Sequence, residues 1–210
     1  MKNNWYEKQP KKTRDFTALT KTYDEKYGDF DYTKDSRSID RSFSTTLLAA
    51  MGDLGGKHVL VCGSNSGYEI KILRRHFPTA RFVAVDISEK ALAKLPADVS
   101  RIHACMEDLP FKDNAFDIYL SCRAVHSSNV HLKRALSEAM RVTRGRIVIS
   151  ISGGYLIKGG FVRGMYDYLR RCIDADKPDL IARKVENTFN RQGFRVANLR
   201  SKGELFVVAR

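Results

Sequence analysis

A turn of small residues follows the first short apolar run of the sequence, His58–Cys62. Gly63 and Gly67, four positions apart, let the backbone turn tightly and approach a ligand without interference from a Cβ atom. Ser64 and Asn65 add small donors and acceptors to the same turn. In an open α/β sheet, ligands bind beyond the carboxyl ends of the strands. The turn is therefore the first candidate binding element, although similar glycine-rich turns also occur where a chain only reverses direction.

A carboxylate, Asp86, ends the next apolar run, Phe82–Val85, and lies 19 residues after Gly67. That separation is close to the ~20 residues at which an acidic side chain meets a ribose hydroxyl pair in nucleotide folds. A carboxylate can accept two hydrogen bonds from such a diol. The alternative is that Asp86 only caps a helix beginning near Ser88. We predict that Asp86 and the turn bind a nucleoside together.

Strand and helix signals alternate around these residues. A strand–helix–strand rhythm predicts parallel strands with crossover helices on both faces. Strands are predicted at His58–Cys62, Phe82–Val85, before Cys105, at Ala115–Ser121 and at Arg146–Ile151, and helices at Ser36–Leu54, Tyr68–His76, Glu89–Leu95, His131–Val142, Phe161–Ile173 and Pro178–Arg191. Phe194–Leu199 and Glu204–Ala209, joined by the turn Arg200–Gly203, predict a β-hairpin. The expected fold is a Rossmann-like α/β fold with a seven-stranded, mostly parallel sheet and an antiparallel C-terminal hairpin.

The composition is that of an ordinary globular protein, but its charge is uneven. The net charge is +13, and residues 123–202 hold seventeen basic against six acidic residues. Such a field attracts nucleic acid, anionic small molecules or acidic protein surfaces, or serves solubility alone. The sequence has no apolar run near the ~20 residues of a membrane span and no signal-peptide pattern, so we expect a cytoplasmic protein. The four cysteines lack metal-ligand spacing, and no metal is expected.

The run Cys105–Ile118, CMEDLPFKDNAFDI, resembles the third-to-fourth strand signature of class I S-adenosylmethionine-dependent methyltransferases. Leu136–Val142 is similar to the helix that precedes strand five in that family. The resemblance covers roughly residues 36–151. It implies S-adenosylmethionine as cofactor and S-adenosylhomocysteine as product.

The resemblance also implies roles for individual residues. Gly63 and Gly67 match the glycines beneath the methionine part of the cofactor, and Asp86 matches the ribose-binding acid. Further matches are Ile87 near the adenine, Met106 and Glu107 beside the adenine ring, and Ser121 where sulfonium and acceptor meet. The sequence departs from the family at Val61 and Cys105, which replace acids, and at Asn65, which replaces a glycine. Glu107 is the residue that could substitute for the acid missing at Cys105.

Methyl transfer needs a base only when the acceptor is protonated. His126, five residues past Ser121, is the candidate base, with a packing or capping role as the alternative. Arg123 could bind an anionic substrate, the cofactor carboxylate, or neither. Residues 1–35 are expected to form a lid in which Tyr23 or Tyr27 closes over the cofactor, and residues 36–210 the cofactor-binding domain. The alternative is that the aromatic residues of this segment pack on the flank of the sheet.

Three functions remain open from the sequence. The first is methylation of a small, anionic metabolite, because the segments available to shape an acceptor pocket are short. The second is methylation of RNA by the basic surface of residues 123–202. The third is a non-catalytic binding protein that keeps the fold. No sequence feature indicates an oligomeric state.

Overall fold

The computed structural model describes residues 15–27, 41–127, 129–152, 178–201 and 204–210. Its centre is a seven-stranded sheet in the order β3-β2-β1-β4-β5-β7-β6. The strands are β1 His58–Cys62, β2 Arg81–Asp86, β3 Ser100–His103, β4 Phe116–Cys122, β5 Thr143–Ser152, β6 Val196–Ser201 and β7 Glu204–Ala209. Strands β1 to β5 are parallel, and β7 runs antiparallel to both β5 and β6. The predicted mixed sheet with an antiparallel C-terminal hairpin is confirmed.

Helices cover both faces of this sheet. They are α1 Phe16–Tyr27, α2 Arg41–Met51, α3 Tyr68–His76, α4 Glu89–Ala93, α5 Leu132–Val142 and α6 Pro178–Arg191. Leu47 of α2 and Leu73 of α3 belong to the apolar core of one face. Leu136 of α5 and Phe189 of α6 belong to the core of the other. The interior is therefore two apolar layers with the sheet between them.

The uninterrupted apolar character of β1 follows from this arrangement. Successive side chains of a strand point to opposite faces of the sheet. Val59 and Val61 lie in one core and Leu60 and Cys62 in the other. A central parallel strand covered on both faces therefore has no solvent-facing position to fill with polar residues.

Several predicted boundaries are wrong by a few residues. Helix α2 ends at Met51 instead of Leu54, because Gly52 adopts a left-handed φ of +66° and donates its N–H to the carbonyl of Leu48. Strand β4 continues to Cys122, one residue beyond the prediction. Strand β5 begins at Thr143, directly after α5, because Thr143 already pairs with Phe116.

The C-terminal hairpin is also tighter than predicted. Arg200 and Ser201 were assigned to a turn, but they pair with Leu205 and Glu204 as part of the antiparallel ladder. Strand β6 begins at Val196, two residues after the predicted start at Phe194. The connection at residues 202–203 lies outside the described residues.

Two charged residues of α5 bind the connection between β3 and β4. Arg141 of α5 donates to the carbonyls of Leu109 and Phe111, at 2.9 and 2.6 Å, and to Asp113 at 2.8 Å. Glu138 accepts two hydrogen bonds from Arg141 and one from the N–H of Leu109. Hydrogen bonding to Glu138 and Asp113 raises the pKa of Arg141 despite its partial burial. The helix thus holds the connection from β3 to β4 against the sheet.

Some predicted features lie outside the described residues. These are residues 1–14 and 28–35 of the expected lid, the stretch 153–160, the predicted helix at 161–173, and Cys172. Within the described parts of the chain, no helix combines the length and the apolarity needed to cross a membrane.

Candidate functional site

The turn after β1 requires glycine at two positions. Gly63 and Gly67 have φ angles of +72° and +83°, which L side chains rarely adopt. A Cβ atom on Gly63 would overlap with the Cβ of Ala124, and one on Gly67 with the side-chain tip of Leu95. Asn65, between them, also has a positive φ of 45°, which asparagine tolerates better than most residues. The small residues thus let the turn fold tightly against the end of β4.

Every backbone N–H of this turn is already used inside the protein. The N–H groups of Gly63 and Ser64 donate to the carbonyl of Val85 at 2.8 and 3.1 Å, and that of Gly67 donates to the carbonyl of Ser64 at 2.9 Å. The N–H of Asn65 donates to Asp86 Oδ2 at 2.7 Å, and the N–H of Ser66 donates to Asn65 Oδ1 at 2.6 Å. Glycine-rich turns that bind phosphates do so with free amide groups. This turn has none to offer, so its remaining backbone capacity is that of carbonyl acceptors. It suits a ligand that brings donors or positive charge.

Asp86, the last residue of β2, lies directly against the turn. Its Oδ2 accepts from the N–H of Asn65 and its Oδ1 from the N–H of Ser88 at 2.9 Å. Burial raises the pKa of Asp86, while the N–H groups of Ser88, Asn65 and Ile87 oppose that shift. Each carboxylate oxygen keeps a second lone pair. The two alternatives for Asp86 are therefore compatible, because one carboxylate can orient the start of α4 and still accept from a diol.

Ser88 is the N-cap residue of α4. Its hydroxyl oxygen accepts from the N–H of Ala91 at 3.1 Å. Ile87, between Asp86 and Ser88, is half-buried. Its carbonyl lies 2.9 Å from Nε2 of His103, the last residue of β3. The ends of β2 and β3 are thereby joined.

Met106 and Glu107 lie in the connection that follows β3, and both are buried. The end of the Met106 side chain packs near Gly63, on the side where a Cβ would project. Glu107 Oε1 accepts from the N–H of His131 at 2.6 Å, at the start of α5. The Glu107 carboxylate is thus directed to a helix terminus. This contact gives no support to the idea that Glu107 replaces the acid missing at Cys105.

The carboxyl end of β4 brings Arg123 and His126 to the site. Ser121 is fully buried, one residue before the end of β4. His126 is partly buried, and its Nδ1 has no hydrogen-bond partner among the described residues. Burial lowers the pKa of His126, and the positive charge of Arg123 lowers it further. The imidazole is therefore neutral at pH 7 and able to accept a proton.

Helix α1 lies across this edge of the sheet. Asp24 Oδ1 accepts from the hydroxyl of Ser88 at 2.5 Å and from the N–H of Lys90 at 3.2 Å. At the other side of the turn, the Tyr23 hydroxyl lies 2.6 Å from that of Ser127, beyond β4. The helix thus connects the end of β2 with the end of β4.

The N-terminal half of α1 adds contacts with the last residue of β3. Thr20 Oγ1 lies 3.1 Å from His103 Nε2, and the ring of Phe16 lies 4.6 Å from the ring of His103. The sequence indicated aromatic residues here but gave no sign of the polar partners Thr20 and Asp24. Their partners are distant in sequence, and no local pattern identifies them.

Sequence reasoning also missed a buried charged cluster beside the site. Two buried carboxylates interact with Arg123. Glu204, at the start of β7, forms an ion pair with it, and Glu69, in the first turn of α3, interacts with it electrostatically. The only local signal is the position of Glu69 between two buried apolar residues, Tyr68 and Ile70. Among the described residues, no group of three His, Cys, Asp or Glu side chains is arranged to hold a metal ion.

Comparison with known proteins shows which proteins this chain is similar to. Residues 60–149 match the family model described as a methyltransferase domain. The chain is 31% identical over 118 residues to malonyl-[acyl-carrier protein] O-methyltransferase of Dechloromonas aromatica, which covers 56% of this chain and 44% of that protein. The chain thus spans less than half the length of that relative.

Two further similarities extend over most of the chain. An uncharacterized protein of Methanocaldococcus jannaschii is 30% identical over 161 residues, covering 66% of this chain and 75% of that protein. Among solved structures, the methyltransferase in complex with the Trm112 methyltransferase activator of Haloferax volcanii superposes with a TM-score of 0.68. That alignment covers 91% of this chain and 96% of the other at 17% identity, and it is evidence for the fold alone.

Proposed function

Because this chain belongs to the class I S-adenosylmethionine-dependent methyltransferase superfamily and S-adenosylmethionine is its cofactor, we propose that it transfers a methyl group to a small acceptor. The transfer takes place beyond the carboxyl ends of the parallel strands. The observation that carries the proposal is the contact between Asp86 and the glycine turn. It sets a buried carboxylate, the natural partner of a ribose diol, beside a turn without free amides.

The described residues fit that cofactor chemically. S-adenosylmethionine has a ribose diol, a sulfonium, and an amino-acid end with one ammonium and one carboxylate group, and it has no phosphate. Asp86 would accept from the ribose hydroxyls, while the turn from Gly63 to Gly67 would lie beneath the methionine part. Ser64 Oγ is buried without a hydrogen-bond partner among the described residues, which leaves it available to a ligand. Ile87, Met106 and Cys105 would border the adenine.

The remaining residues position the acceptor and exclude water. When bound, the cofactor supplies an electrophilic methyl group on a sulfonium sulfur. His126 Nδ1 would accept the proton of an acceptor that arrives protonated, since the imidazole is neutral at pH 7. Helix α1 would act as a lid, because Tyr23 and Asp24 attach it on either side of the turn. Alignment of the acceptor and exclusion of water are the main contributions of such an enzyme to the rate.

A small acceptor is favoured over RNA because α1 lies across the edge where the acceptor must enter. The RNA alternative rests on the basic charge of residues 123–202, part of which lies outside the described residues. An anionic acceptor is not favoured by the described site, since Arg123 is already paired with Glu204. If the substrate is RNA, binding falls steeply as salt rises, whereas binding of a small neutral acceptor changes little.

Calorimetry with S-adenosylhomocysteine tests the proposal. In Asp86→Asn, the amide NH2 must face the N–H of either Asn65 or Ser88, and one ribose acceptor is lost. We expect affinity to fall roughly tenfold or more. The matched control is Asp117→Asn near the amino end of β4, away from the glycine turn. There the carboxylate accepts from the N–H of His58 at 2.9 Å and from Arg144 at 2.8 Å. The control should lose stability and keep its affinity. A wild-type protein without affinity better than millimolar would refute the proposal.

A further inference from the structure

Arg123, the first residue after β4, has a backbone conformation that long side chains rarely adopt. Its φ is +58°, in the left-handed region, which is costly for a residue with a Cβ atom. Such a conformation persists only where the surrounding structure holds it, and conformations of this kind are concentrated at functional sites. The N–H of Arg123 donates to the carbonyl of Ser150 of β5 at 3.0 Å. Contacts with other parts of the fold therefore maintain this turn.

The side chain of Arg123 is held from two directions. Its Nε donates to Glu204 Oε1 at the start of β7, and the hydroxyl of Ser150 donates to Glu204 Oε2 at 2.7 Å. The guanidinium carbon lies 4.5 Å from the centre of the Phe43 ring of α2, within the range of a cation–π contact. Glu204 is buried, and hydrogen bonds between charged groups are the stronger ones in such surroundings. The side chain thus ties the end of β4 to β5, β7 and α2.

The turn at Arg123 determines where the following residues of the chain lie. Ala124 packs so closely against Gly63 that a Cβ on the glycine would overlap with that of Ala124. His126 is partly buried, and its Nδ1 has no hydrogen-bond partner among the described residues. The hydroxyl of Ser127 lies 2.6 Å from a hydroxyl of α1. One short connection therefore carries the contact with the glycine turn, the candidate base and an attachment of α1.

We propose that Arg123 is a positioning residue: the Arg123–Glu204–Ser150 network holds the left-handed turn after β4 and thereby places His126 for proton acceptance. This inference rests on the proposed function, because proton acceptance by His126 is part of it. The sequence left open whether Arg123 binds an anionic substrate, the cofactor carboxylate or neither. Its bond to a buried carboxylate and its contact with an aromatic ring direct the guanidinium into the fold, and only 21% of the side chain is exposed.

The pKa of His126 separates positioning from a simple effect of charge. Burial lowers this pKa, and the positive charge of Arg123 lowers it further. In Glu204→Ala, Arg123 keeps its charge but loses the carboxylate that holds it. If Arg123 acts by its charge alone, removal of the neighbouring negative charge lowers the pKa of His126 further. If Arg123 positions the turn, the connection is released, the imidazole gains contact with water, and its pKa rises towards the ordinary value. We expect the rise.

NMR titration of the histidine ring signals from about pH 4 to 8 measures this pKa in the ligand-free protein. The variant His126→Gln identifies the signal of His126. The matched control is Glu186→Ala on α6, which removes a carboxylate that accepts from the side-chain amide of Asn198. In the control, His126 should titrate as in the wild-type protein. An unchanged or lower pKa of His126 in Glu204→Ala overturns the proposal.

Arg123→Lys is the second variant, and it decides if Glu204→Ala does not fold. It keeps the positive charge and Glu204 but removes the planar guanidinium that bonds the carboxylate and covers the Phe43 ring. Positioning predicts that the pKa of His126 rises in this variant as well. An effect of charge alone predicts the wild-type pKa, and that result overturns the proposal.

Calorimetry with S-adenosylhomocysteine keeps this inference distinct from the proposed function, because the titration of His126 needs no ligand. Wild-type protein that does not bind S-adenosylhomocysteine overturns the proposed function together with this inference. Wild-type protein that binds it, combined with an unchanged or lower pKa of His126 in Glu204→Ala, overturns the positioning role of Arg123 and leaves cofactor binding intact. Binding by the wild-type protein together with a raised pKa in Glu204→Ala supports both.

Discussion

The N–H of Asn65 donates to Asp86 Oδ2 over 2.7 Å and joins the turn after β1 to the last residue of β2. The two residues are 21 positions apart in the chain. The bond orients the carboxylate and occupies the N–H of Asn65, so that each N–H group from Gly63 to Gly67 has an acceptor inside the protein. The same contact therefore prepares the site for a diol and makes it unsuitable for a phosphate.

The packing of Gly63 leads to a stability prediction. Gly63→Ala should destabilise the protein by on the order of 2–4 kcal/mol, because the left-handed φ costs about 1 kcal/mol and the overlap with Ala124 adds to it. Gly56→Ala is the matched control, since Gly56 has a similar φ of +67° but no atom within 4 Å of the added Cβ. Urea unfolding measures both. Equal losses would mean that contact with Ala124 does not constrain the turn.

The burial of Glu69 predicts a pH-dependent stability. Its pKa is raised to about 7 in the folded protein, from an ordinary 4.5. Its contribution to stability is therefore fully present below about pH 4.5 and is lost as pH rises through 7. Glu69→Gln should remove this loss and be the more stable protein at pH 8, by on the order of 2–3 kcal/mol. Thermal unfolding from pH 5 to 8 measures the difference in stability between the two proteins. A difference that stays constant with pH would contradict the raised pKa of Glu69.

The fork of hydrogen bonds from Arg141 predicts that lysine cannot replace it. Arg141→Lys keeps the charge but loses the planar geometry that reaches Leu109, Phe111 and Glu138 together, so we expect a loss of about 2 kcal/mol or more. Arg144→Lys is the control, because Arg144 is half exposed and bonds Asp117 near the surface. Its loss should stay below about 1 kcal/mol. Denaturant unfolding compares them, and similar losses would show that the fork adds nothing to the charge.

The contacts of α1 predict the lifetime of the bound state. Tyr23→Phe and Asp24→Ala each remove an attachment of the proposed lid, and we expect S-adenosylhomocysteine to dissociate roughly three- to tenfold faster. Thr22→Ala is the control, since its exposed hydroxyl bonds only the carbonyl of Ala18 in the same helix. Stopped-flow measurement of ligand release checks this. Unchanged rates in both variants would mean that α1 does not close over the ligand.

Much of the fold could be predicted because its signals are local. Apolar β-branched runs such as His58–Cys62 and the helical spacing of Pro178–Arg191 require no knowledge of their partners. The errors lie at the ends of strands and helices, where pairing with a residue distant in sequence decides whether the element continues. Ser201 is strand and not turn because Glu204 pairs with it, and Thr143 is strand because Phe116 pairs with it.

The candidate site was predictable to a smaller extent. The glycine turn and Asp86 were identified because residue type and a fixed spacing identify them, and the structure brings them together. The roles of Ser121 at the point of methyl transfer and of Glu107 at the adenine stay predictions, and both residues are buried. The contact of Glu107 Oε1 with the N–H of His131 had no signal in the sequence, because the two residues are 24 positions apart.

The sequence by itself determined the alternation of strands and helices, the glycine turn and the acid that follows it, because each depends on residues close together in the chain. Only the tertiary structure decided which charges meet. Glu69, Arg123 and Glu204 come from parts of the chain up to 135 positions apart and have no common pattern. They lie together because β4, β5 and β7 are neighbours in the sheet and α3 packs on the same face of that sheet. Burial in that position, and not residue type, raises the pKa of Glu69.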